Sequence, residues 1–518
     1  MRTESEPQLA LPFRIPVLRI FTLPFIRAEK RDVALLGILA AFLTVAGFMM
    51  QGNGAYDSDG WFLLATGKRI VEHGIPYTNP WSFSSYRPIV IQQWLHDVLL
   101  YGAYCLAGYD GAVIYQIVLS VVFCLSMCFA VTGFKSGRLP THQMLFIIGL
   151  ALFGAGIYIC VRPTAWSMTC LCLTVGLCAR WRRTSDWRHL VGLPLVTVLH
   201  VNVQAAMWPL DAFVAACFLL PETPAKLFDK SRNIIEALKE TAPIYIAVFA
   251  MVMASVLNPY GIDGARYVID SMGAASYGNV ISEMKPAFEA TKGFCMVFFA
   301  IGLLPIILTV WIRRKPIDPA MLLMLVVTLA AALLHWRNIW IFSLVSAITF
   351  ASQLPRPATN KEPSKHSKTI LLIVLLAVIG PISANAYVYA TNGQMTCWES
   401  SEASASKLID KVSDSDIYDP VVYAEDPVIY NYMEWKGLKV PFDLRPELWE
   451  DTGSKKTTSP YRDYVDSMKS AKKKAKYLAG NGFDFYLVSK KNASWYAKQL
   501  NLTRVSSSNT LVLLASRE

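Results

Sequence analysis

Long apolar segments recur along the first 391 residues and constrain the fold more than any other feature of the chain. Each approaches the length of helix that a bilayer requires. Only 17% of the 518 residues are charged, whereas an ordinary soluble domain has about a quarter. These values exclude one large soluble globule and a disordered chain. The sequence therefore predicts an α-helical polytopic membrane protein with eleven spans, at 33–50, 111–133, 141–160, 163–181, 188–203, 205–220, 242–257, 293–312, 318–335, 337–353 and 369–391.

The positive charge of the chain follows this predicted topology. With the N-terminus inside, the cytoplasmic segments hold 23 Lys and Arg against 11 Asp and Glu, an excess of +12. The outer loops and spans contribute −2 and the C-terminal region +1, which gives the formal net charge of +11. Lys and Arg concentrate in cytoplasmic loops. We therefore expect an integral plasma (inner) membrane protein with a cytoplasmic N-terminus and an outer C-terminus, and no nucleic acid among its partners.

Three regions divide the chain. We expect a cytoplasmic amphipathic segment at 1–32, a transmembrane domain at 33–391, and an extracytoplasmic domain at 392–518. The last region alternates short strand patterns with helical ones. The strands are predicted at Val421–Ala424, Leu438–Phe442, Phe485–Val488 and Thr510–Leu514, and the helices at 402–412, 427–435, 460–479 and 493–500. A small α/β domain is the expected product.

The first outer loop, 51–110, carries two acids beside the first span, Asp57 and Asp59. Asp59 is a candidate N-cap and Gly74 a candidate C-terminal stop, which predicts a helix over 60–73. A second helix, over 91–107, is expected to lie at the membrane interface. The loop's aromatic residues are those of a belt at headgroup depth, namely Trp61, Phe62, Tyr77, Trp81, Phe83 and Tyr86.

Two acids at this position suggest two kinds of chemistry. A partly desolvated carboxylate can act as a general base toward an attacking hydroxyl. Two carboxylates, Asp57 and Asp59, can instead hold a divalent cation such as Mg²⁺ or Mn²⁺ near a phosphate leaving group. The structural alternative is that Asp59 only caps its helix and that Asp57 is solvated.

Several basic residues are predicted near the outer ends of spans: Arg162, Arg266, Arg337 and Lys285. A guanidinium at headgroup depth can bind phosphate with two parallel hydrogen bonds. The alternative for each is an ordinary interfacial side chain that snorkels to water.

A second tier of candidates is polar without being basic: Gln93, Asp211, Asn258, Tyr260 and Glu283. Asn258 and Tyr260 belong to an Asn-Pro-Tyr-Gly turn that ends a span, and Glu283 lies in the loop after it. Asp211 is predicted inside the membrane, where a carboxylate is costly unless it faces a cavity or a partner.

The motifs of the chain together resemble the GT-C superfamily of polytopic glycosyltransferases, and within it a largely uncharacterised bacterial branch. The first loop matches that branch at Asp57, Asp59, Trp61, Ala65-Thr66-Gly67-Lys68, Gly74-Ile75-Pro76, Thr78-Asn79-Pro80 and Ser82. Further matches are Gln93-Trp94-Leu95, Arg162-Pro163, Asn258-Pro259-Tyr260-Gly261, Arg337-Asn338 and Phe442-Asp443-Leu444-Arg445.

This resemblance implies a GT-C fold and transfer of a sugar from a polyprenyl-phosphate donor on the outer face. It also implies that Asp59 is the functional acid, with Asp57 in support. The chain departs from the branch at two places: Gln92-Gln93 stands where His-Glu is common, and Gln204 stands where a His is common. An amide at these places removes a titratable group.

Two functions remain open from the sequence. The first is a membrane glycosyltransferase that uses a lipid-linked sugar donor and a glycan, lipid or protein acceptor of the cell envelope. The second is a non-enzymatic transporter, flippase or scaffold for lipid-linked glycans. The polar residues cluster at the predicted outer rim and no internal symmetry is evident, which favours the first.

Overall fold

The structure is a computed structural model. It describes residues 59–81, 89–135, 139, 141–155, 158, 161–219, 234–272, 282–289, 302–307, 309–310, 316–354, 397–442, 445 and 460–516. Asp57, the N-terminal segment 1–32 and the predicted spans 33–50 and 369–391 lie outside the described residues.

Helices make up the described part of the predicted transmembrane domain. They are α1 (Gly60–His73), α2 (Trp94–Gly133), α3 (Thr141–Ala155), α4 (Thr164–Thr184), α5 (Arg188–Val203), α6 (Trp208–Leu219), α7 (Ile234–Ala254), α8 (Gly261–Met272), α9 (Pro319–Leu334) and α10 (Ile339–Gln353). Short 3₁₀ turns lie at Ala205–Met207, Ser282–Met284 and Trp336–Asn338. The helical class is confirmed.

One helix of the described part, Asp110–Gly133, is long and apolar enough to cross a membrane by itself. Two shorter helices, Ala205–Phe218 and Pro319–Leu334, are also apolar. The number of spans therefore stays a prediction.

Helix α2 is a hairpin of two helical arms. Ala107 and Gly108 leave the helical conformation, and Gly108 has a φ of 58°. The chain turns back at this break and brings the two arms into contact. The Nδ1 atom of His96, on the first arm, lies 3.0 Å from the hydroxyl of Tyr115, on the second. The first arm corresponds to the helix predicted over 91–107.

A glycine sets the distance between α1 and the first arm of α2. A Cβ atom on Gly67 would overlap the backbone carbonyl of Asp97 and lie 2.8 Å from the Cβ of Tyr101. Because no side chain larger than hydrogen fits there, this residue of the Ala-Thr-Gly-Lys segment has a packing role.

The C-terminal domain is a four-stranded sheet with helices. Its elements are α11 (Cys397–Ser413), β1 (Val422–Ala424), α12 (Val428–Trp435), α13 (Pro460–Ser467), α14 (Ala471–Gly480), β2 (Phe485–Ser489), α15 (Ala493–Leu500), β3 (Leu502–Ser507) and β4 (Leu511–Ser516). The strand order is β1-β2-β4-β3. Strands β1 and β2 are parallel, while β4 is antiparallel to both β2 and β3.

Two predicted elements of this domain differ in the structure, and one observed strand was not predicted. The segment Leu438–Phe442 is not a ladder strand, and its Val440 amide donates to the carbonyl of Trp81 instead. The helix predicted over 460–479 is interrupted, because Ser470 caps a new helix by accepting from the amide of Lys473. Strand β3 was not predicted, because its side chains are mostly exposed and lack an apolar alternation.

Aromatic residues of the first loop join the two domains. The ring of Trp61 lies 4.8 Å from that of Tyr432 and 5.8 Å from that of Trp435. The guanidinium of Arg445 lies 4.8 Å from the ring of Phe62 and 5.1 Å from that of Trp81. Trp61, Phe62 and Trp81 are therefore buried against the C-terminal domain, and their assignment to an aromatic belt at headgroup depth was wrong.

A buried carboxyl group lies beneath this contact. Asp97 is fully buried, and neither of its carboxyl oxygens has a hydrogen bond within the described residues. Burial raises the pKa of Asp97 well above its usual range, and the charge of Arg445 offsets this only in part. Arg445 itself is paired with Glu434 at 3.3 Å.

We predict that Gly67→Ala destabilises the protein by about 1–3 kcal/mol, because the added methyl group must push α1 away from α2. The exposed Gly102, whose Cβ would meet nothing within 4 Å, is the matched control. Gly102→Ala should be neutral or stabilising by about 0.5–1 kcal/mol. Thermal unfolding in detergent measures both, and equal effects would contradict the close approach at Gly67.

We also predict that Asp97→Asn changes how stability depends on pH. A carboxyl group with a raised pKa binds more protons in the folded state than in the unfolded state, so the wild type loses stability as the pH rises above about 4. The asparagine variant lacks this loss, and its advantage should grow with pH. Unfolding midpoints from pH 4 to pH 8 test this, with the exposed Asp110→Asn as control. Parallel curves for Asp97→Asn and wild type would refute it.

Candidate functional site

Four residues singled out in the sequence lie in one row of alternating charge. The Oδ2 atom of Asp59 is 2.9 Å from the Nη2 atom of Arg162. The Nη1 atom of Arg162 is 3.9 Å from the Oε1 atom of Glu283. The Oε2 atom of Glu283 is in turn 3.9 Å from the Nε atom of Arg337. We call Asp59, Arg162, Glu283 and Arg337 the charged row.

The start of α1 positions Asp59. The residue holds the N-cap position, but its side chain makes no capping hydrogen bond. The carboxylate pairs with Arg162 instead, which stands just before α4. The alternative that Asp59 only caps its helix therefore does not describe the structure.

Two short turns bring Glu283 and Arg337 together. The Nδ1 atom of His335 lies 2.6 Å from the carbonyl oxygen of Met284. The amide of Trp336 donates to the carbonyl of Lys285 at 3.1 Å. These two contacts to backbone carbonyls hold the turn with Glu283 against the turn with Arg337, and Lys285 contributes through its backbone carbonyl.

Every member of the charged row is partly exposed at the protein surface. The side chains are 24% exposed at Asp59, 18% at Arg162, 24% at Glu283 and 37% at Arg337. Ion pairs that water reaches contribute about 0–1 kcal/mol each. A ligand phosphate could therefore replace a carboxylate beside a guanidinium at small cost.

The Asn-Pro-Tyr-Gly turn holds the first loop in place. The hydroxyl of Tyr260 donates to the carbonyl of Pro76 at 3.0 Å, and the hydroxyl of Tyr77 donates to the carbonyl of Pro259 at 3.3 Å. The side chain of Asn258 accepts from the amide of Tyr260 at 2.9 Å. Asn258 and Tyr260 therefore position the loop and are not members of the charged row.

Three other candidates also lie apart from the charged row. Arg266 is exposed on α8. Gln93 precedes α2, and its backbone carbonyl accepts from the amide of Asp97 at 3.0 Å. Asp211 is fully buried, and its Oδ2 atom lies 2.8 Å from the Nδ1 atom of His200. His200 was not among the predicted site residues, because nothing in its sequence spacing indicates a partner.

The described residues do not decide the predicted cation site. Asp57 lies outside them, and they hold no group of three or more His, Cys, Asp or Glu that could hold a metal ion. Asp59 is the one acid of the predicted pair that the structure describes, and it faces a guanidinium. A Mg²⁺ or Mn²⁺ site on Asp57 and Asp59 thus stays a prediction.

No protein-family profile and no curated protein matches the chain. Solved structures do. The oligosaccharyltransferase AglB from Archaeoglobus fulgidus, in complex with an inhibitory peptide and a dolichol-phosphate, matches with a TM-score of 0.55 and 11% identity. That match covers 90% of this chain and 70% of the other. ArnT from Cupriavidus metallidurans, bound to undecaprenyl phosphate, matches with a TM-score of 0.50 and 11% identity over 94% of this chain and 98% of the other.

Both proteins are GT-C glycosyltransferases embedded in membranes. At 11% identity the likeness shows the fold alone. The chain therefore has the fold of the GT-C membrane glycosyltransferases, with a small C-terminal sheet.

Proposed function

We propose that this chain is a membrane glycosyltransferase that moves a sugar from a polyprenyl-phosphate donor to an envelope or lipid-linked acceptor on the outer face of the membrane. The charged row is the observation that supports this most strongly. Its four residues come from four distant parts of the sequence, and they combine a carboxylate with two phosphate-binding groups. The neighbours of the same fold include one bound to undecaprenyl phosphate and one bound to a dolichol-phosphate.

In the proposed reaction the two guanidiniums hold the donor phosphate. Arg162 and Arg337 would bind phosphate oxygens in place of Glu283, since charge-assisted hydrogen bonds to guanidinium are strong and directional. A phosphate that draws Arg162 away also releases the carboxylate of Asp59. Asp59 then accepts the proton of the acceptor hydroxyl as that oxygen attacks the anomeric carbon. The bond from this carbon to the phosphate oxygen breaks, and polyprenyl phosphate leaves with both electrons of that bond.

Other residues take supporting roles in this proposal. Asp57 would assist Asp59, with or without a divalent cation that screens the leaving phosphate. Lys285 and the exposed Arg266 would attract the anionic headgroup at longer range. The C-terminal domain, which packs on Trp61 at the start of α1, would cover the site or bind the acceptor.

We predict that Asp59→Asn lowers transfer from a labelled polyprenyl-phosphate sugar by about 10²–10⁴-fold, the usual contribution of a general base. Expression and folding should be unchanged. The matched control is Asp318→Asn, because Asp318 also pairs with an arginine, Arg182, at 2.9 Å but lies away from the row. The control should retain transfer. Undiminished transfer by Asp59→Asn would reject the assignment and favour the non-enzymatic alternative.

We predict that Glu283→Gln binds undecaprenyl phosphate about two- to fivefold more tightly than the wild type does. The amide no longer competes for Arg162 and Arg337, and an exposed ion pair contributes at most about 1 kcal/mol. Glu289→Gln, an exposed acid of the same segment, is the control and should bind as the wild type does. Tryptophan fluorescence titration in detergent gives both affinities. Weaker binding by Glu283→Gln would show that Glu283 orients the guanidiniums and does not occupy their phosphate position.

A further inference from the structure

Four polar side chains from α4, α5, α6 and the turn after α5 form a hydrogen-bonded chain. The Oδ2 atom of Asp211 lies 2.8 Å from the Nδ1 atom of His200. The Nε2 atom of His200 lies 2.7 Å from the hydroxyl of Ser167, and this hydroxyl lies 2.6 Å from the Oε1 atom of Gln204. Asp211, His200 and Ser167 are each 0% exposed.

The orientation of the Gln204 amide sets the direction of the hydrogen bonds. The hydroxyl of Ser167 donates to the amide oxygen of Gln204. Since a hydroxyl carries one proton, the hydrogen bond between Ser167 and His200 must use a proton on Nε2. A further proton lies between Nδ1 of His200 and the carboxyl group of Asp211. The pair is then uncharged as a whole, as deep burial requires.

With the amide in this orientation, Ser167, His200 and Asp211 do not form a Ser-His-Asp triad with Ser167 as its nucleophile. A serine nucleophile needs an imidazole nitrogen that accepts its proton. Here Nε2 of His200 donates to Ser167, and Ser167 is fully buried. The hydrogen-bonded chain therefore orients the amide of Gln204 at its other end and does not activate Ser167.

The far end of the chain is the amide of Gln204. This residue is half-buried, and within the described residues its amide nitrogen has no hydrogen-bond partner. Linked hydrogen bonds polarise one another. The hydrogen bond that Ser167 donates to Oε1 therefore makes the NH₂ group of Gln204 a stronger hydrogen-bond donor.

Gln204 lies between the helix that follows Arg162 and the first loop. Ser167, which holds the amide oxygen, stands on the first turn of α4, five residues after Arg162. The amide of Ala205 donates to the carbonyl of Gln92 at 2.7 Å. The indole of Trp94 donates to the side chain of Asn202 at 2.8 Å. Gln204 is therefore held by α4, which begins two residues after Arg162 of the charged row, and by the part of the first loop just before and at the start of α2.

We propose that Gln204 binds the lipid-linked donor, by donating a hydrogen bond from its amide nitrogen to a phosphate or sugar oxygen, and that Ser167, His200 and Asp211 position it. This inference rests on the proposed function and names a further residue of the same site. An amide suits binding, because it donates at every pH and takes up no proton. Gln204 stands where the GT-C branch commonly has a titratable residue. In this proposal it acts as a neutral group that binds oxygen.

The first test is Gln204→Glu, which keeps the shape and replaces the donor with a carboxylate. We expect binding to weaken by roughly tenfold or more, because a hydrogen bond to a charged group is lost. Gln353→Glu, at the end of α10, is the matched control and should bind as the wild type does. The probes are undecaprenyl phosphate and the sugar-loaded donor that the wild type turns over.

The two probes identify the oxygen that Gln204 contacts. Weaker binding of both indicates a phosphate oxygen, and weaker binding of the loaded donor alone indicates a sugar oxygen. Unchanged binding of both overturns the inference.

The second test addresses the positioning role. Ser167→Ala should weaken binding by about three- to tenfold in the wild type and add nothing to Gln204→Glu, since both changes remove one oriented donor. Additive losses would show that Ser167 acts independently of Gln204 and would overturn the positioning chain.

A third variant separates this inference from the proposed function. If Arg162→Ala loses binding of undecaprenyl phosphate while Gln204→Glu keeps binding of both probes, the inference fails and the phosphate site stands. If Arg162→Ala binds as the wild type does, the proposed phosphate site itself fails.

Discussion

At Gly67 the backbone of α1 lies so close to the backbone of α2 that a methyl group would overlap the carbonyl of Asp97. This close approach fixes both the distance and the rotation of α1. Two other contacts depend on that rotation. Asp59 at the start of the helix meets Arg162, and Trp61 in its first turn meets Trp435 of the C-terminal domain. One short helix thus connects the candidate acid, the neighbouring helices α2 and α4, and the C-terminal domain.

The sequence predicted the elements of this arrangement better than their contacts. The bounds of α1 followed from a polar start and a glycine stop, and Gly74 indeed has a φ of 81°. The pairing of Asp59 with Arg162 could not be predicted, because their separation in sequence contains no periodic signal. For the same reason Arg266 and Arg337 were indistinguishable as candidates. Only the structure shows that one is exposed on α8 and the other faces Glu283.

The burial of side chains accounts for the aromatic residues that were assigned to the wrong environment. An aromatic residue near a predicted membrane surface is compatible with a headgroup belt and with a domain interface. Trp61 and Trp81 were assigned to the belt, but the structure buries them in the interface. For Asp211, in contrast, the expectation from burial was correct, but its partners could not be predicted. Asp211 was suspected because a buried carboxylate needs a partner. His200 and Ser167 became visible as that partner only once α4, α5 and α6 were in contact.

Charge balance limits how a donor can occupy the charged row. Two carboxylates and two guanidiniums sum to zero, so an added phosphate leaves the site negative unless another charge changes. Departure of Glu283 from Arg162 and Arg337 would offset one negative charge, and a proton on Asp59 after attack would offset another. A neutral hydrogen-bond donor such as the amide of Gln204 would bind a ligand oxygen without altering this charge balance. In the proposed reaction, the donor phosphate therefore takes the place of an internal carboxylate, and the proton transferred to Asp59 neutralises the remaining acid.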